Sequence, residues 1–231
     1  MEVTQSTSSI TERIAQIREQ LPERVRLIAV TKQVSVEAMR EAYAAGIRDF
    51  GESRLQEALP KQEQLQNLPD ICWHFIGHLQ SNKAQKTLET FQWIHACDRL
   101  KLAQRLNRLA GELAVRPQVC LQVKVLSDPN KYGWEVAQLQ TDLPQLNQCQ
   151  NIAIQGLMTI LPLGLSETEA LAAFQATRDL SSQIGQENYP NLALEEFSMG
   201  MSGDYLLAVR AGATMVRLGR IIFGERPPVE Q

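Results

Sequence analysis

No stretch of the chain approaches the ~20 consecutive apolar residues that a membrane-spanning helix needs. The opening Met1-Glu-Val-Thr-Gln-Ser-Thr-Ser-Ser9 has neither a basic n-region nor an apolar h-region, so no export is expected. No Cys-x-x-Cys occurs. The four cysteines, Cys72, Cys97, Cys120 and Cys149, stand far apart and read as small buried hydrophobes of a reducing compartment. Neither charge is in marked excess: 23 Lys+Arg against 26 Asp+Glu give a net charge of -3 and a pI near 5.7. Neither nucleic acid nor an anionic membrane is therefore expected as a partner. Walker loops, a serine–histidine–aspartate set, internal repeats and low-complexity segments are also missing. What is present is 231 residues, 44% of them hydrophobic, enough for a sizeable core in a cytoplasmic protein.

The rest is organised around Arg24-Val-Arg-Leu-Ile-Ala-Val-Thr-Lys32, an apolar, β-branched run that reads as a buried parallel strand. Before it, Ser9-Ile-Thr-Glu12 has the form of a capping box, with Ile10, Ile14, Ile17 and Leu21 on one helical face. After it, Ser35 opens a helix through Met39 and Ala42 that stops at Gly46. Further strands are expected at 49–53, 71–77, 92–97, 119–125, 152–160, 194–198 and 214–222. Between them the pattern predicts a helix with Leu55 and Leu59 that Pro60 kinks or restarts, and a short basic helix from Ser81. Asp98 is expected to cap an amphipathic helix with Leu102, Leu106, Leu109 and Leu113. A weak helical pattern runs from Val136 to Leu146, Ser166-Glu-Thr-Glu169 caps another helix, and a last one spans Asp204 to Ala211.

Strands alternating with helices, without a break in composition, predict an α/β fold: a single (β/α)8 TIM barrel over 1–231. Residues 1–8 are expected as a flexible tail and 226–231 as a C-terminal one. A doubly wound open sheet is the alternative, but no Gly-x-Gly-x-x-Gly follows the first strand and the even spacing favours closure.

In a barrel, functional residues gather at the strand C-terminal ends. Here those ends carry Lys32, Ser53, Gly77-His78, Asp98, the loop after Val125, Met158-Thr159, Ser198 to Gly203, and Gly219-Arg220. Lys32 either snorkels to solvent on its long stem or serves as a Schiff-base amine. The Ser198-Met-Gly-Met-Ser-Gly-Asp204 loop and Leu218-Gly-Arg-Ile221 are either ordinary turns or an anion cradle of main-chain N–H groups. Closure makes the last strand the neighbour of the first, so such a cradle would sit beside Lys32. An amine next to a phosphate cradle is what pyridoxal phosphate (PLP) requires. Alternation turns Arg217 into the barrel, where it needs an acceptor: a carboxylate such as Glu52 or Glu195, or a cofactor's pyridine nitrogen. His74 and His78 are four apart across a strand end, a spacing that fails for metal, so no metal site is expected. His74 reads as a core residue and His78 as a lining one.

Ala29-Val-Thr-Lys32, Phe50-Gly-Glu-Ser-Arg54, Trp73-His-Phe-Ile-Gly-His-Leu-Gln-Ser-Asn-Lys83, Gly156-Leu-Met-Thr159, Phe197-Ser-Met-Gly-Met-Ser-Gly-Asp204 and the run from Gly212 to Gly224 together resemble the pyridoxal phosphate homeostasis proteins (YggS/PROSC type). The resemblance implies an alanine-racemase-like barrel without the second β domain, and PLP held as an imine on Lys32. It also implies phosphate contacts from Ser198, Met199, Gly219 and Arg220, and Arg217 at the pyridine nitrogen. Ser53, Met158 and His78, at the ends of their strands, are expected as further cofactor neighbours. The family usually has asparagine where Ser53 stands, and Val-Asn where this chain has Val123-Lys124.

The expected role is PLP homeostasis and amino/keto-acid balance without substantial catalysis, in a monomer that passes PLP to acceptor apo-enzymes. An amino-acid racemase is the alternative reading. A Schiff-base aldolase acting on a sugar phosphate is a third. Racemases of this type resemble two-domain dimers with a second base on the β domain, for which Gln231, a few residues past the last strand, leaves no room.

Overall fold

The computed structural model describes residues 8–224. Apart from Ser8, the tails expected at 1–8 and 226–231 lie outside the described residues. Eight parallel strands close into a barrel. They are β1 (Arg26–Val30), β2 (Asp49–Glu52), β3 (Cys72–Phe75), β4 (Trp93–Cys97), β5 (Gln118–Lys124), β7 (Ala153–Met158), β8 (Leu192–Ser198) and β9 (Met215–Leu218). β6, the two-residue strand Trp134–Glu135, is an addition to the edge of β5 that the sequence did not reveal. Each barrel strand pairs with its neighbour in chain order, and β1 pairs β9 with Ala29 opposite Leu218, which closes the ring.

Alternation sorts side chains between two cores. Ile28, Trp93, Cys120, Met158 and Met215 fill the barrel interior. The outward set, such as Leu27, Ala29, Phe50, Val216 and Leu218, packs under the helices. The helices are α1 (Ile10–Gln20), α2 (Val36–Ala44), α3 (Leu55–Gln64), α4 (Ala84–Thr90), α5 (Leu100–Leu113), α6 (Val136–Leu146), α7 (Glu167–Gly185), α8 (Tyr205–Arg210) and α9 (Arg220–Phe223). α5 buries Leu102, Leu106 and Leu109 against the wall, each worth roughly 1.5–3 kcal/mol. The capping boxes at Ser9 and Ser166 form as expected.

Three expectations fail for local reasons. α3 runs through Pro60 unbroken from Leu55 to Gln64, so the proline neither kinks nor restarts it. Asp98 does not cap α5: Arg99 is the N-cap residue, and the Asp98 carboxylate is taken by His78 and Arg99. The last strand stops at Leu218 rather than Ile222, because Gly219 turns the apolar run into α9.

Gly156 marks where β7 and β8 approach most closely. A Cβ there would lie 1.8 Å from the Glu196 carbonyl oxygen, so only glycine permits the pairing at this register shift. Among the described residues no helix is long and apolar enough to cross a membrane.

Candidate ligand-binding site

A cavity of about 810 Å³ opens at the C-terminal ends of the strands. Of the nine residues singled out from the sequence, Lys32, Ser53, His78, Arg217, Gly219 and Arg220 line it. The β1–β9 register carries Lys32 to the level just past Gly219, which joins the amine and the cradle loop in one space.

The backbone on both sides of Lys32 is held from outside the barrel. Lys61 on α3 donates to the Thr31 carbonyl (2.7 Å), to Glu52 (2.9 Å) and to Glu57 (2.7 Å). Glu57 in turn accepts from the main-chain N–H of Gln33. Gln33 has φ 59°, a left-handed turn that costs of order 1–3 kcal/mol for a residue with a Cβ. That turn ends β1 abruptly and leaves Lys32 at the cavity. Glu52 is fully buried, and burial pushes its carboxyl upward against the lowering pull of Lys61 and Thr31.

Arg217 points inward as alternation predicted, but no carboxylate among the described residues receives it. Its guanidinium donates to the Ser198 carbonyl and hydroxyl (2.7 Å to Oγ) and to the Thr159 carbonyl (2.9 Å). The expected partners Glu52 and Glu195 are both elsewhere: Glu52 is on the Lys61 side, between β2 and α3. Burial draws the Arg217 pKa down to about 10, so the group still carries its charge at neutral pH.

Ser198, Met199 and Met158 do not line the cavity. Ser198 is fully buried and its hydroxyl is shared between Arg217 and His95. The Met199 N–H donates to the Met215 carbonyl (3.1 Å), so that N–H and the Ser198 hydroxyl are both engaged within the protein. Met158 packs inside the barrel on Trp93 and Met215. The loop's cavity-lining residues are instead Met201, Ser202, Gly203 and Asp204. Met201 donates its N–H to Asp204 Oδ1 (2.6 Å) and accepts from the Asp204 and Tyr205 N–H groups, so this turn is closed on itself.

The sequence reading missed the far wall. Asn130, Lys131 and Tyr132, from the loop after β5, also line the cavity. Tyr132 stacks on His78 with ring centroids 3.7 Å apart, and His78 Nδ1 lies 2.9 Å from Asp98. Lys124, the departure from the family pattern, is taken by Glu135 on β6 (2.6 Å). Cys72, Asp49 and His74 place ligand atoms within 4.8 Å of one another. Burial pushes the Cys72 thiol up to about 11 and His74 Nε2 is bonded to Asp49, so the group behaves as a hydrogen-bonded set.

A family model for the alanine racemase N-terminal domain matches residues 6–227. A protein named pyridoxal phosphate homeostasis protein from Synechocystis sp. is 55% identical over 206 residues, 89% of this chain and 94% of that one. The chain belongs to this family. A second pyridoxal phosphate homeostasis protein, from Pseudomonas aeruginosa, is 41% identical over 229 residues, covering 95% of this chain and 96% of its own. The structure of PipY from Synechococcus elongatus with PLP bound superposes with a TM-score of 0.90 at 52% identity, over 94% of this chain and all of that one. Alanine racemase from Clostridium difficile shares the fold alone. At 16% identity its TM-score is 0.76, with 96% of this chain matched to 61% of the racemase.

Proposed function

We propose that the chain binds pyridoxal 5′-phosphate in the cavity at the top of its barrel, with Lys32 as the covalent amine. Its role is PLP homeostasis and amino/keto-acid balance, and it does not turn substrates over. The observation that carries this reading is that one cavity brings together Lys32, the Arg217 guanidinium and the Gly219-Arg220 turn.

The residues suit the cofactor. Gly219 and Arg220 open α9, whose first N–H groups have no acceptor within the helix. Ser202 and Gly203 add a short hydroxyl and an unobstructed main chain, since a Cβ on Gly203 would meet nothing within 4 Å. These groups can hold a phosphate in the place first given to Ser198 and Met199. When bound, PLP supplies an aldehyde that condenses with amines and a ring that can draw electrons from a substrate's α-carbon.

Two features argue against fast turnover. Arg217 can donate a hydrogen bond to a ring nitrogen but cannot accept one from a protonated ring, so the nitrogen stays unprotonated and that electron withdrawal is weak. The lining side chains best suited to move a second proton, His78 and Tyr132, are stacked on each other along one wall. A positioned proton carrier typically contributes ~10²–10⁴-fold to such a rate. On this reading the protein exchanges PLP with amines and acceptor apo-enzymes, as a monomer in the cytoplasm.

The PLP-loaded protein, incubated with L-amino acids in deuterated water, should exchange their α-protons no faster than free PLP does. Exchange or racemisation at ~1 s⁻¹ or above, the range of ordinary enzymes, would show a catalyst.

A further inference from the structure

Behind the cavity, an unbroken line of polar side chains crosses the barrel interior. Asp49 Oδ1, on the first residue of β2, lies 2.8 Å from His74 Nε2. His74 Nδ1 lies 2.9 Å from His95 Nε2, and His95 Nδ1 lies 2.7 Å from Ser198 Oγ. Arg217 Nη1 closes the line with a 2.7 Å bond to that same oxygen. His74, His95 and Ser198 are fully buried, while the Asp49 side chain keeps 22% of its surface at the other end of the barrel.

Hydrogen-bond chemistry allows one direction for the protons in this line. A carboxylate only accepts, so His74 must carry its proton on Nε2. Burial lowers the pKa of both histidines, that of His95 strongly, and keeps them neutral. A neutral ring has one donor, so His74 Nδ1 accepts, and His95 places its own proton on Nε2. His95 Nδ1 then accepts the Ser198 hydroxyl proton. The serine oxygen is left to Arg217 as an acceptor alone.

We propose that Asp49, His74 and His95 are positioning residues for the ligand site. They fix the Ser198 proton away from the cavity and so hold the Arg217 guanidinium in place as a donor. Both hydrogens of Nη1 and one of Nη2 are spent on Ser198 and Thr159. Of the five N–H groups of an arginine, 5 − 3 = 2 then remain to face a ligand. Were the line reversed, the serine proton would meet the guanidinium and displace it. The proposal rests on reading the cavity as a PLP site, where those remaining donors meet the pyridine nitrogen.

Nitrogen-15 spectra of the imidazoles in the full chain without PLP test the line by itself. Both His74 and His95 should carry their proton on Nε2, and a proton on Nδ1 of either would overturn the proposal. The link to the ligand is tested with PLP labelled at its ring nitrogen. Asp49→Asn should shift that nitrogen's signal and weaken PLP binding about tenfold, and Asp49→Glu should restore both. A merely structural role would lower the melting temperature and leave the ring signal unmoved, which would overturn the proposal. Failure of the wild-type chain to bind PLP would instead overturn the PLP reading, because the tautomers are judged in the unloaded protein.

Discussion

Lys32→Ala is expected to erase the imine absorbance of the PLP-loaded protein and to leave no adduct on Lys32 after borohydride reduction. The expectation follows from where β1 ends. Lys61 and Glu57 hold the backbone before and after Lys32, and the β1–β9 pairing sets it beside Gly219. The competing amine is Lys131, which lines the same cavity; Lys124 is occupied by Glu135, and Lys83 lies in an adjoining pocket that shares Ser53, Gly77 and His78 with it. Peptide mapping of the reduced wild-type protein decides between them. An adduct found mainly on Lys131 would move the covalent site to the opposite wall.

Lys61→Met should be the most destabilising single change near the site. Glu52 is fully exposed to burial's cost: it has no solvent contact, and its Oε2 has no hydrogen-bond partner among the described residues. Removing one partner of a buried ion pair costs about 3–5 kcal/mol, because the other charge is left uncompensated. The loss reaches the site as well. The Thr31 carbonyl loses its donor, and Glu57, no longer held by Lys61, is freed from the Gln33 turn. Urea unfolding should show the midpoint falling at unchanged slope, with PLP binding weakened in the folded protein. Glu52→Gln added to Lys61→Met should recover part of the stability, since the stranded charge is then gone. A double variant no more stable than the single would show that packing by the Lys61 stem is what matters.

Most of the barrel was legible because most strands are short, largely apolar runs with a turn signal behind them, and Ile28, Arg217 and Met215 fall on the inner face by simple alternation. The errors share one cause, that sequence shows residue types and not partners. An apolar run continuing through Gly219 looks the same whether it stays a strand or becomes a helix. Asp98 has the composition of a cap, but His78 and Arg99 lie within its reach. Of the two partners open to Arg217, the carboxylate is not the one found: its acceptors are main-chain carbonyls and a hydroxyl, which any residue could have supplied in part. His74 and His95 are 21 residues apart, and only the β3–β4 pairing makes them neighbours. The wall formed by Asn130 to Tyr132 comes from a polar loop whose path no periodicity records.

The placement of the cysteines has a consequence for how the molecule can be watched. Cys97 and Cys120 sit fully buried on the paired strands β4 and β5, and burial raises both thiols far above their ordinary range. Cys149, after α6, is raised in the same way. A thiol that is protonated and enclosed does not react, so alkylation of these three must wait for the chain to open. Cys72, only partly enclosed, should label first. Counting modified thiols by mass against time would then time the breathing of the middle strands in the unaltered protein. Lys32 would stay outside that record, because no cysteine lies on β1 or β9.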